Sequence, residues 1–343
     1  MTNAGSTPRA AVAGGGRSNS PVRRSTIVTA LIGIVLLAAA VWLWQSLLKV
    51  EVVEFAMLEQ RDTPTAIAVA PDQSVWFTID FANAIGRIRN DRLERLVEPQ
   101  TNLEPVGLAI AADGAAWYTD AAASQIQRIA PGGEVTSFAL DTPITKLGKI
   151  ATAPDGSVWF AEATAYSITR LHNGRLKRHV IGSVRAEPYG VAVAADGTVW
   201  ATLRAGNQLL RIAPDGTMNT FDIPTRGSSP TDVVVDSSGD VWFLEFRGNR
   251  IGRFSQGRIE EFPVGEGLTA GLTGLAVAPD GAVWFGMLRQ GSLGRLREGK
   301  LKRFRLPRES ARPYGVAVDA EGNVWYADIS GFVGKLPAMQ AQR

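Results

Sequence analysis

Short apolar runs separated by turn residues recur along residues 50–337 with a nearly constant period. Each unit begins with an apolar strand such as residues 191–193, passes through a turn, and enters a second strand that carries a tryptophan. Successive tryptophans lie 41 or 42 residues apart, at Trp76, Trp117, Trp159, Trp200, Trp242, Trp284 and Trp325. A period of about 40–45 residues with several short strands per unit is typical of a β-propeller blade.

Two further strands complete each unit. Glycine stands three residues before the tryptophan in six of the seven units, where a tight hairpin requires a positive φ angle. A third strand such as residues 85–88 and a fourth such as residues 259–262 follow. The sequence therefore predicts an all-β, seven-bladed β-propeller over residues 50–337, followed by a C-terminal tail over residues 338–343.

The two ends of the repeat region predict how the ring closes. The last unit has strands at residues 314–318, 324–326 and 332–336, and then the pattern stops before a fourth strand. Residues 52–56 match the fourth-strand pattern at the opposite end of the chain. We therefore expect the N-terminal strand to complete blade seven, because pairing the two ends removes open sheet edges.

The first 49 residues differ in composition from the repeat region. Residues 1–25 are rich in Gly, Ser, Ala and Pro and contain four arginines without an acid, which predicts a disordered basic tail. Residues 26–48 carry no formal charge and form a candidate apolar helix of about 34 Å, slightly longer than a hydrocarbon core of about 30 Å. The sequence thus predicts a transmembrane signal-anchor helix over residues 26–48.

Because the arginines precede this helix, the tail is expected in the cytoplasm and the propeller in the periplasm or outside the cell. The protein would be a single-pass protein of the inner (cell) membrane. Two alternatives remain open at this point. A signal peptide could be cleaved after Ala38-Ala39-Ala40, and the Arg23-Arg24 pair is compatible with twin-arginine export.

The charge and cysteine content exclude some classes of function. The formal net charge is +3, but residues 1–49 contain five basic residues and no acid, so the remaining chain has 31 basic and 33 acidic residues. A propeller close to neutral has no electrostatic basis for binding nucleic acid. Cysteine is absent, which excludes disulfides and thiolate metal sites.

Residues that recur in every blade are expected to serve packing rather than function. The tryptophans are expected to fill the space between adjacent sheets. Basic residues also recur near the third strand, with buried stems and paired heads expected. They are Arg87, Arg128, Arg170, Arg211, Arg253, Arg295 and Lys335.

Functional residues are expected where the repeat is broken, at two positions predicted to face the central opening. One position precedes the first strand: Thr65, Val106, Gly148, Tyr189, Thr231, Thr273 and Tyr314. The other lies three residues after each tryptophan: Ile79, Asp120, Glu162, Leu203, Glu245, Met287 and Asp328. Both sets are expected on one rim of the ring, with Glu187, Arg204, Lys149 and Asp232 nearby.

The chemistry of these positions allows several interpretations. The four acids Asp120, Glu162, Glu245 and Asp328 could hold a Mg²⁺ or Ca²⁺ ion through oxygen ligands, act in proton transfer, or be solvated loop residues. Tyr189 and Tyr314 could contact a flat or sugar-like ligand or cap the strands by packing. The ligand-binding candidates are Tyr189, Tyr314, Glu187, Arg204, Lys149 and Asp232.

Three segments resemble the repeats of the streptogramin B lyase (virginiamycin B lyase) family: PYGVA at residues 188–192, NRIGR at residues 249–253 and DGAVWF at residues 280–285. The resemblance covers residues 50–337 and all seven blades. A weaker similarity to SMP-30/gluconolactonase-like and NHL-type propellers follows from the same architecture. The family's enzyme opens a cyclic depsipeptide at its ester by elimination, with Mg²⁺ and a histidine base.

The chain departs from the family at the positions that carry this activity. The family's functional histidines stand at the start of first strands, and those positions hold Thr273 and Tyr314 here. The only two histidines are His172 and His179, predicted on the outer strands of blade three. A metal-ligating glutamate of the last blade corresponds to Asp328 with an offset of one residue. Losing the base removes the proton transfer that typically contributes about 10²–10⁴-fold to the rate.

Three functional hypotheses follow. The first is a membrane-anchored binding module for a small molecule, glycan or peptide. The second is a metal-dependent enzyme, a lyase-like carbon–oxygen lyase or a lactone hydrolase acting on a cyclic ester. The third is an envelope scaffold that binds a partner protein. Neither the ligand nor the oligomeric state follows from the sequence.

Overall fold

The computed structural model describes residues 51–80, 82, 84–97, 104–141, 146–183, 186–265 and 270–342, together with Thr29, Leu31, Ile32 and residues 34–37. The chain divides into two units, Met1–Lys49 and Val50–Arg343. In the first unit the described residues are helical. Within the described ranges, no helix combines the length and the apolar content that crossing a bilayer requires. The predicted tail over 1–25 and most of the predicted helix over 26–48 lie outside the described residues.

The second unit consists of seven four-stranded antiparallel sheets, which we number as blades one to seven. Blade one contains β2 (Thr63–Val69), β3 (Val75–Asp80), β4 (Ala84–Arg89) and β5 (Arg92–Val97), and β1 (Val53–Ala56) precedes it. Blade two contains β6 (Pro105–Ile110), β7 (Ala116–Asp120), β8 (Gln125–Ile129) and β9 (Val135–Ala139). Blade three contains β10 (Leu147–Thr152), β11 (Val158–Glu162), β12 (Ser167–His172) and β13 (Arg175–Val180).

The remaining blades follow the same order. Blade four contains β14 (Pro188–Val193), β15 (Val199–Leu203), β16 (Gln208–Ile212) and β17 (Met218–Asp222). Blade five contains β18 (Pro230–Val235), β19 (Val241–Glu245), β20 (Arg250–Ser255) and β21 (Arg258–Pro263). Blade six contains β22 (Leu272–Val277), β23 (Val283–Met287), β24 (Ser292–Arg297) and β25 (Lys300–Arg305). Blade seven contains β26 (Pro313–Val318), β27 (Val324–Asp328) and β28 (Phe332–Leu336).

The ring closes through the two ends of the repeat region, as predicted. Strand β1 pairs antiparallel with β28, with Glu54 opposite Gly334, and supplies the outer strand of blade seven. The innermost strands of consecutive blades lie side by side, and β26 of blade seven contacts β2 of blade one. The predicted seven-bladed propeller is therefore confirmed.

The repeated tryptophans fill the space between adjacent sheets, as predicted. Trp200 of blade four packs with Val233 and Phe243 of blade five, and its ring centroid lies 4.9 Å from that of Phe254. Trp159 packs in the same way against blade four. Six of the seven are buried and Trp242 is half-buried. Burying such a side chain contributes about 1.5–3 kcal/mol.

The repeated basic residues have the structural role expected of them. Each lies directly opposite its tryptophan across the second and third strands, as Arg87 does with Trp76 and Lys335 with Trp325. The Arg87 guanidinium lies 5.0 Å from the Trp76 ring centroid, and its Nη2 lies 2.6 Å from Glu94 Oε2. Six of the seven cations lie over the ring of their own tryptophan, as expected of residues that pack within the blades.

Every first strand contains a register irregularity near its start. In blade four, Pro188 pairs with Leu203, but the regular register resumes only at Val191. The same shift occurs in the other six first strands. A β-bulge re-aims the side chains that it contains. The bulged residues are those nearest the axis, so the bulge controls which side chains line the central opening.

The C-terminal tail predicted over residues 338–343 contains a short helix, α1 (Ala338–Ala341). Its first backbone N–H donates to Asn323 Oδ1 at 2.9 Å, and Arg295 Nη1 donates to the Ala341 carbonyl. Ala341 is buried against a cluster that includes Trp284. The helix therefore packs on blades six and seven rather than trailing from the fold.

Candidate ligand-binding site

A cavity of about 260 Å³ opens at one end of the central axis. It lies over blades four to six and is completed by one residue each from blades three and seven. Its lining residues are Lys149, Tyr189, Arg204, Thr231, Asp232, Phe246, Leu272, Thr273, Gly274, Leu288 and Tyr314. Five of the six ligand-binding candidates from the sequence thus lie in one cavity, and Glu187 lies beside it.

The floor of the cavity is an ion pair at a position that other blades keep small. The residue ten positions before the tryptophan, in the first strand, is Ala66, Gly107, Gly190, Gly274 or Gly315 in five blades. Blades three and five instead carry Lys149 and Asp232, whose Nζ and Oδ1 lie 3.6 Å apart. The same pair also lines a second cavity of about 170 Å³ further along the axis. Lys149 and Asp232 therefore lie where the two cavities meet.

The charge state of Lys149 depends on its neighbours. Burial disfavours the ammonium, but the Asp232 carboxylate and the Tyr189 and Tyr314 hydroxyls outweigh this effect, and the pKa of Lys149 lies above its usual range. Both side chains of the pair are largely buried, with 21% and 15% of their surfaces exposed. Lys149 thus presents a fixed positive charge to the cavity.

Tyr189 and Arg204 form one wall. The Arg204 guanidinium carbon lies 4.9 Å from the Tyr189 ring centroid, a distance suitable for a cation–π interaction. Glu187 Oε1 lies 3.9 Å from Arg204 Nη1, whereas the buried Arg204 Nε has no hydrogen-bond acceptor. Burial raises the pKa of Tyr189 to about 12 against the opposing effect of Lys149, so its hydroxyl is a hydrogen-bond donor at neutral pH.

Phe246 and Leu288 form the second wall, and the sequence reasoning missed both, although it selected Arg204 at the equivalent position of blade four. Arg204, Phe246 and Leu288 each stand four residues after the tryptophan of their blade. The corresponding residues of the other blades are Asp80, Ala121, Ala163 and Ile329, so this position also varies strongly around the ring. That variation in size and charge was a usable signal for a position that differs in environment from blade to blade.

Asp80 at the end of β3 has an unusual environment. Burial and the Glu104 carboxylate raise the pKa of Asp80 to about 6, and the Lys149 ammonium opposes this rise. Asp80 therefore lies within electrostatic range of Lys149, which forms part of the floor of the cavity. Asp80 was not among the candidates from the sequence.

The position three residues after the tryptophan does not face the opening, contrary to expectation. Its members are 0–2% exposed in all seven blades, and Leu203 packs with Ala161 and Ile168 of the preceding blade. Successive side chains of a strand point to opposite faces, so an offset of one residue exchanges the two sides. The structure therefore does not bring Asp120, Glu162, Glu245 and Asp328 together.

Three of these acids have local hydrogen-bond partners. Asp120 Oδ1 accepts the backbone N–H groups of Glu104 and Ala123, both at 3.2 Å. Glu162 accepts the Thr169 hydroxyl and Arg178 Nε, the latter at 3.0 Å.

Asp328, the third, accepts Arg308 Nη2 at 2.8 Å and the backbone N–H of Arg312 at 2.9 Å. Glu245 differs from all three. Neither of its carboxyl oxygens has a hydrogen-bond partner, and burial, then the Glu261 carboxylate, raises the pKa of Glu245 to about 8.

A Mg²⁺ or Ca²⁺ ion shared by these four acids does not fit this arrangement. Each acid belongs to a different blade, and Glu162 and Asp328 already face guanidinium groups. Across the described residues, no group of three or more His, Asp or Glu side chains could hold a metal ion together.

The two histidines lie far out in blade three, as predicted from the sequence. His172 ends β12, and His179 on β13 packs against Trp159 at a centroid distance of 5.2 Å. Neither residue lines the axial cavity. Burial and the neighbouring cations Lys177 and Arg170 lower the pKa of His179 below its usual range.

The chain matches the Virginiamycin B lyase family over residues 46–210 and 199–340. A virginiamycin B lyase from Nocardia farcinica (strain IFM 10152) is 31% identical over 203 residues, which cover 59% of this chain and 70% of that protein. A virginiamycin B lyase from Bordetella parapertussis is 37% identical over 54 residues, 16% of this chain and 18% of that protein.

Solved structures extend the similarity to the whole ring. A catalytically inactive histidine-to-alanine variant of virginiamycin B lyase from Staphylococcus aureus with quinupristin has a TM-score of 0.79 at 27% identity. That match covers 83% of this chain and 98% of the other. A streptogramin B lyase structure also has a TM-score of 0.79, at 24% identity, covering 83% and 96% of the two chains.

Proposed function

The chain belongs to the virginiamycin B lyase family. From that premise we propose that its propeller binds a small peptide-like or depsipeptide molecule in the axial cavity and does not cleave that molecule. The observation that carries the proposal is the cavity itself. It combines charged, aromatic and aliphatic side chains that differ from one blade to the next. Quinupristin is the first ligand to test, because a solved relative carries it.

The lining of the cavity supports such a ligand. Tyr189, Tyr314, Phe246 and Leu288 supply aromatic and aliphatic surface, as ligand pockets usually do. Arg204 Nε lacks an acceptor, and Lys149 and the Tyr189 hydroxyl are donors. A molecule with a ring or an apolar side chain would pack on the apolar surface, and its exposed carbonyl oxygens would accept hydrogen bonds from the donors.

The same residues are poorly suited to act as a base. The pKa values of Lys149 and Tyr189 are raised, so both groups stay protonated at neutral pH. In the solved relative, replacing one histidine accompanies loss of catalysis, and neither histidine of this chain reaches the cavity. Binding without turnover is therefore favoured.

Binding is tested by isothermal titration of the full-length chain in detergent with quinupristin and, separately, with short peptides and envelope glycans. We expect at least one probe to bind the unmodified protein. Tyr189→Ala should weaken that binding at least about 10-fold, because it removes the aromatic ring against which the Arg204 guanidinium packs.

Tyr166→Ala is the matched control, since it makes the same change in a turn of blade three outside the cavity. It should bind as the unmodified protein does. Absence of binding for every probe, or equal weakening in both variants, would contradict the proposal.

A lyase or lactone hydrolase is the second candidate function, favoured by family membership alone. Mass spectrometry of quinupristin and simple lactones after incubation with the chain distinguishes it from binding. A ring-opened product that disappears in Tyr314→Phe would support the enzyme, whereas recovery of intact ligand supports the binding module.

The proposed module is held at the cell membrane with the propeller on the outer side. The support is the uncharged stretch over residues 26–48 and the arginines before it. Protease treatment of intact cells should then digest the propeller and spare the N-terminus. Protection of the propeller in intact cells would contradict this orientation, and recovery in a salt-washed soluble fraction would contradict the anchor.

A further inference from the structure

Blades three, five and seven carry a buried acid at the same position, and they differ in what neutralises it. The residues are Glu162, Glu245 and Asp328, all fully buried. Each ends the second strand of its blade, so the fourth strand places one particular residue beside it. This fourth-strand residue differs among the three blades, and with it the group that neutralises the buried carboxyl.

In blade three the fourth strand supplies an arginine. Arg178 lies opposite Thr169 across β12 and β13, and its Nε donates to Glu162 Oε1 at 3.0 Å. Arg178 Nη2 lies 3.3 Å from the other oxygen, Oε2. A guanidinium thus neutralises the buried carboxylate directly.

In blade seven the fourth strand supplies an acid, and a third residue neutralises both. Glu54 lies opposite Gly334 in the register that Arg178 has in blade three. Arg308 lies between the two acids, with Nε 2.9 Å from Glu54 Oε2 and Nη2 2.8 Å from Asp328 Oδ2. A single cation therefore bridges two carboxylates.

Blade five repeats the acid pair of blade seven without the bridging arginine. Glu261 lies opposite Gly252, the register position of Glu54 and Arg178. Its Oε1 and Oε2 accept the backbone N–H and the hydroxyl of Thr225, both at 2.8 Å. The Arg250 side chain stands at the edge, with Nε 4.0 Å from Glu261 Oε2.

Glu245 makes no close ion pair in this arrangement. Arg250 lies opposite it across β19 and β20 and attracts the carboxylate only at longer range. The two Glu245 oxygens lack hydrogen-bond partners although the residue is fully buried. Buried carboxylates are normally paired or coordinated to metals. Asp120, the fourth acid at this position, differs because two backbone N–H groups satisfy one of its oxygens.

We propose that blade five binds a hard metal cation between the carboxylates of Glu245 and Glu261, at the place that Arg308 occupies in blade seven. The donors are oxygen atoms, the ligands that Mg²⁺ and Ca²⁺ prefer, and water completes such coordination shells. Gly248 is bordered by both Glu245 Oε2 and the Cβ of the buried Ser228. The Ser228 hydroxyl donates to Asn207 Oδ1 at 2.9 Å.

The bound cation stabilises the end of β19, which carries the cavity wall. Phe246 follows Glu245 directly and lines the axial cavity. Removing the ion leaves two facing carboxylates and loosens this strand end. The cation site lies outside the cavity, so failure of ligand binding and failure of cation binding are separate results.

The test uses the full-length chain in detergent, stripped with EDTA and dialysed at pH 7.5. Melting temperature is measured against increasing CaCl₂ and, separately, MgCl₂, with NaCl of equal ionic strength as the reference. We expect a saturable rise with at least one divalent ion. A site filled at 100 times its Kd stabilises by about 2.7 kcal/mol, an expected increase of several degrees.

Two variants separate this site from others. Glu261→Arg recreates the pair of blade three, so it should raise the melting temperature of the stripped protein and abolish the ion response. Glu245→Gln should also abolish the response. Glu94→Gln, on the exposed edge of blade one, is the matched control and should keep it.

Three results would overturn the proposal. One is a melting temperature that neither divalent ion changes. Another is an ion response that persists in both Glu261→Arg and Glu245→Gln. The third is stabilisation by lowering the pH alone, identical with and without the ions, since two carboxyls sharing a proton would produce it.

Discussion

At the scale of single residues, the axial cavity is distinguished by two charged side chains in a ring of small ones. Five blades place Gly or Ala ten residues before the tryptophan, and only Lys149 and Asp232 break this pattern. Their pairing at 3.6 Å combines two buried charges that neither blade could hold alone. The two residues belong to blades three and five, so no local sequence pattern predicts that they form a pair.

Lys149→Met should lower the free energy of unfolding by about 1–3 kcal/mol, because Asp232 keeps its charge in a buried site without a partner. The double variant Lys149→Met/Asp232→Leu should recover much of this loss. Urea unfolding of the two single variants and the double variant gives the coupling free energy. Additive effects would show that the two groups do not interact.

Asp80 should make stability depend on pH in the acidic range. Its pKa rises from 3.8 to about 6 on folding, so the folded state holds the proton more tightly. The protonated Asp80 therefore adds to the free energy of unfolding below pH 3.8, and this stabilisation is lost as the pH rises to about 6. The total loss is at most about 3 kcal/mol.

Asp80→Asn removes this titration. Relative to the unmodified protein, the variant should therefore gain stability between pH 4 and pH 7. Thermal unfolding at both pH values measures the change, and Asp91→Asn on the exposed β4–β5 turn serves as the control. A difference between Asp80→Asn and the unmodified protein that is the same at both pH values would contradict the assignment.

At the scale of elements, the bulged first strand decides which residues reach the axis. The bulge in each blade brings the second and third residues of the strand close to the next blade. In blade four, Thr202 Oγ1 accepts the Gly190 N–H at 2.8 Å and donates to the Thr231 carbonyl at 2.5 Å. The hydroxyl thereby links neighbouring blades through the bulge.

Gly190→Ala should be strongly destabilising. An added Cβ would lie 2.2 Å from the Thr231 carbonyl oxygen, and that atom belongs to the backbone of the next blade. Overpacking of this kind costs about 1–3 kcal/mol or more. Gly182→Ala, which meets no atom within 4 Å, should change stability by less than about 0.5 kcal/mol. Equal chemical denaturation midpoints for the two variants would contradict this reasoning.

At the scale of the whole molecule, the ring depends on a single closing strand. β1 pairs with β28, and Glu54 on β1 meets Arg308 and the Tyr326 hydroxyl, each at 2.9 Å. Without β1, the edge of β28 is exposed and Arg308 loses one of its two carboxylates. A propeller with an open blade offers an unpaired edge to other chains.

Removing residues 1–57 should lower the melting temperature by at least about 5 °C, since β28 loses its strand partner and Arg308 keeps only one of its two carboxylates. The truncated protein should also self-associate through β28. Removing residues 1–50 keeps β1 and is the matched control. Thermal unfolding and size-exclusion chromatography compare the two proteins, and identical behaviour would show that β1 does not close the ring.

The sequence alone determined the number of blades, the four strands in each, the closure by residues near 52–56 and the packing role of the tryptophans and their basic partners. These features depend on spacing and on side-chain periodicity, which a linear pattern preserves. It also selected Tyr189, Tyr314, Lys149, Asp232 and Arg204, which the structure brings into one cavity. Their role in binding stays a prediction, as does the membrane anchor.

Tertiary structure alone decided which residues share a site. The expected cluster of Asp120, Glu162, Glu245 and Asp328 is dispersed, because the residue three after the tryptophan points between sheets and the residue four after it points to the cavity. A one-residue offset reverses the face of a strand, and the bulge in each first strand shifts the register again. Whether a buried acid meets an arginine, as Glu162 does, or another acid, as Glu245 does, depends on strand pairing in three dimensions.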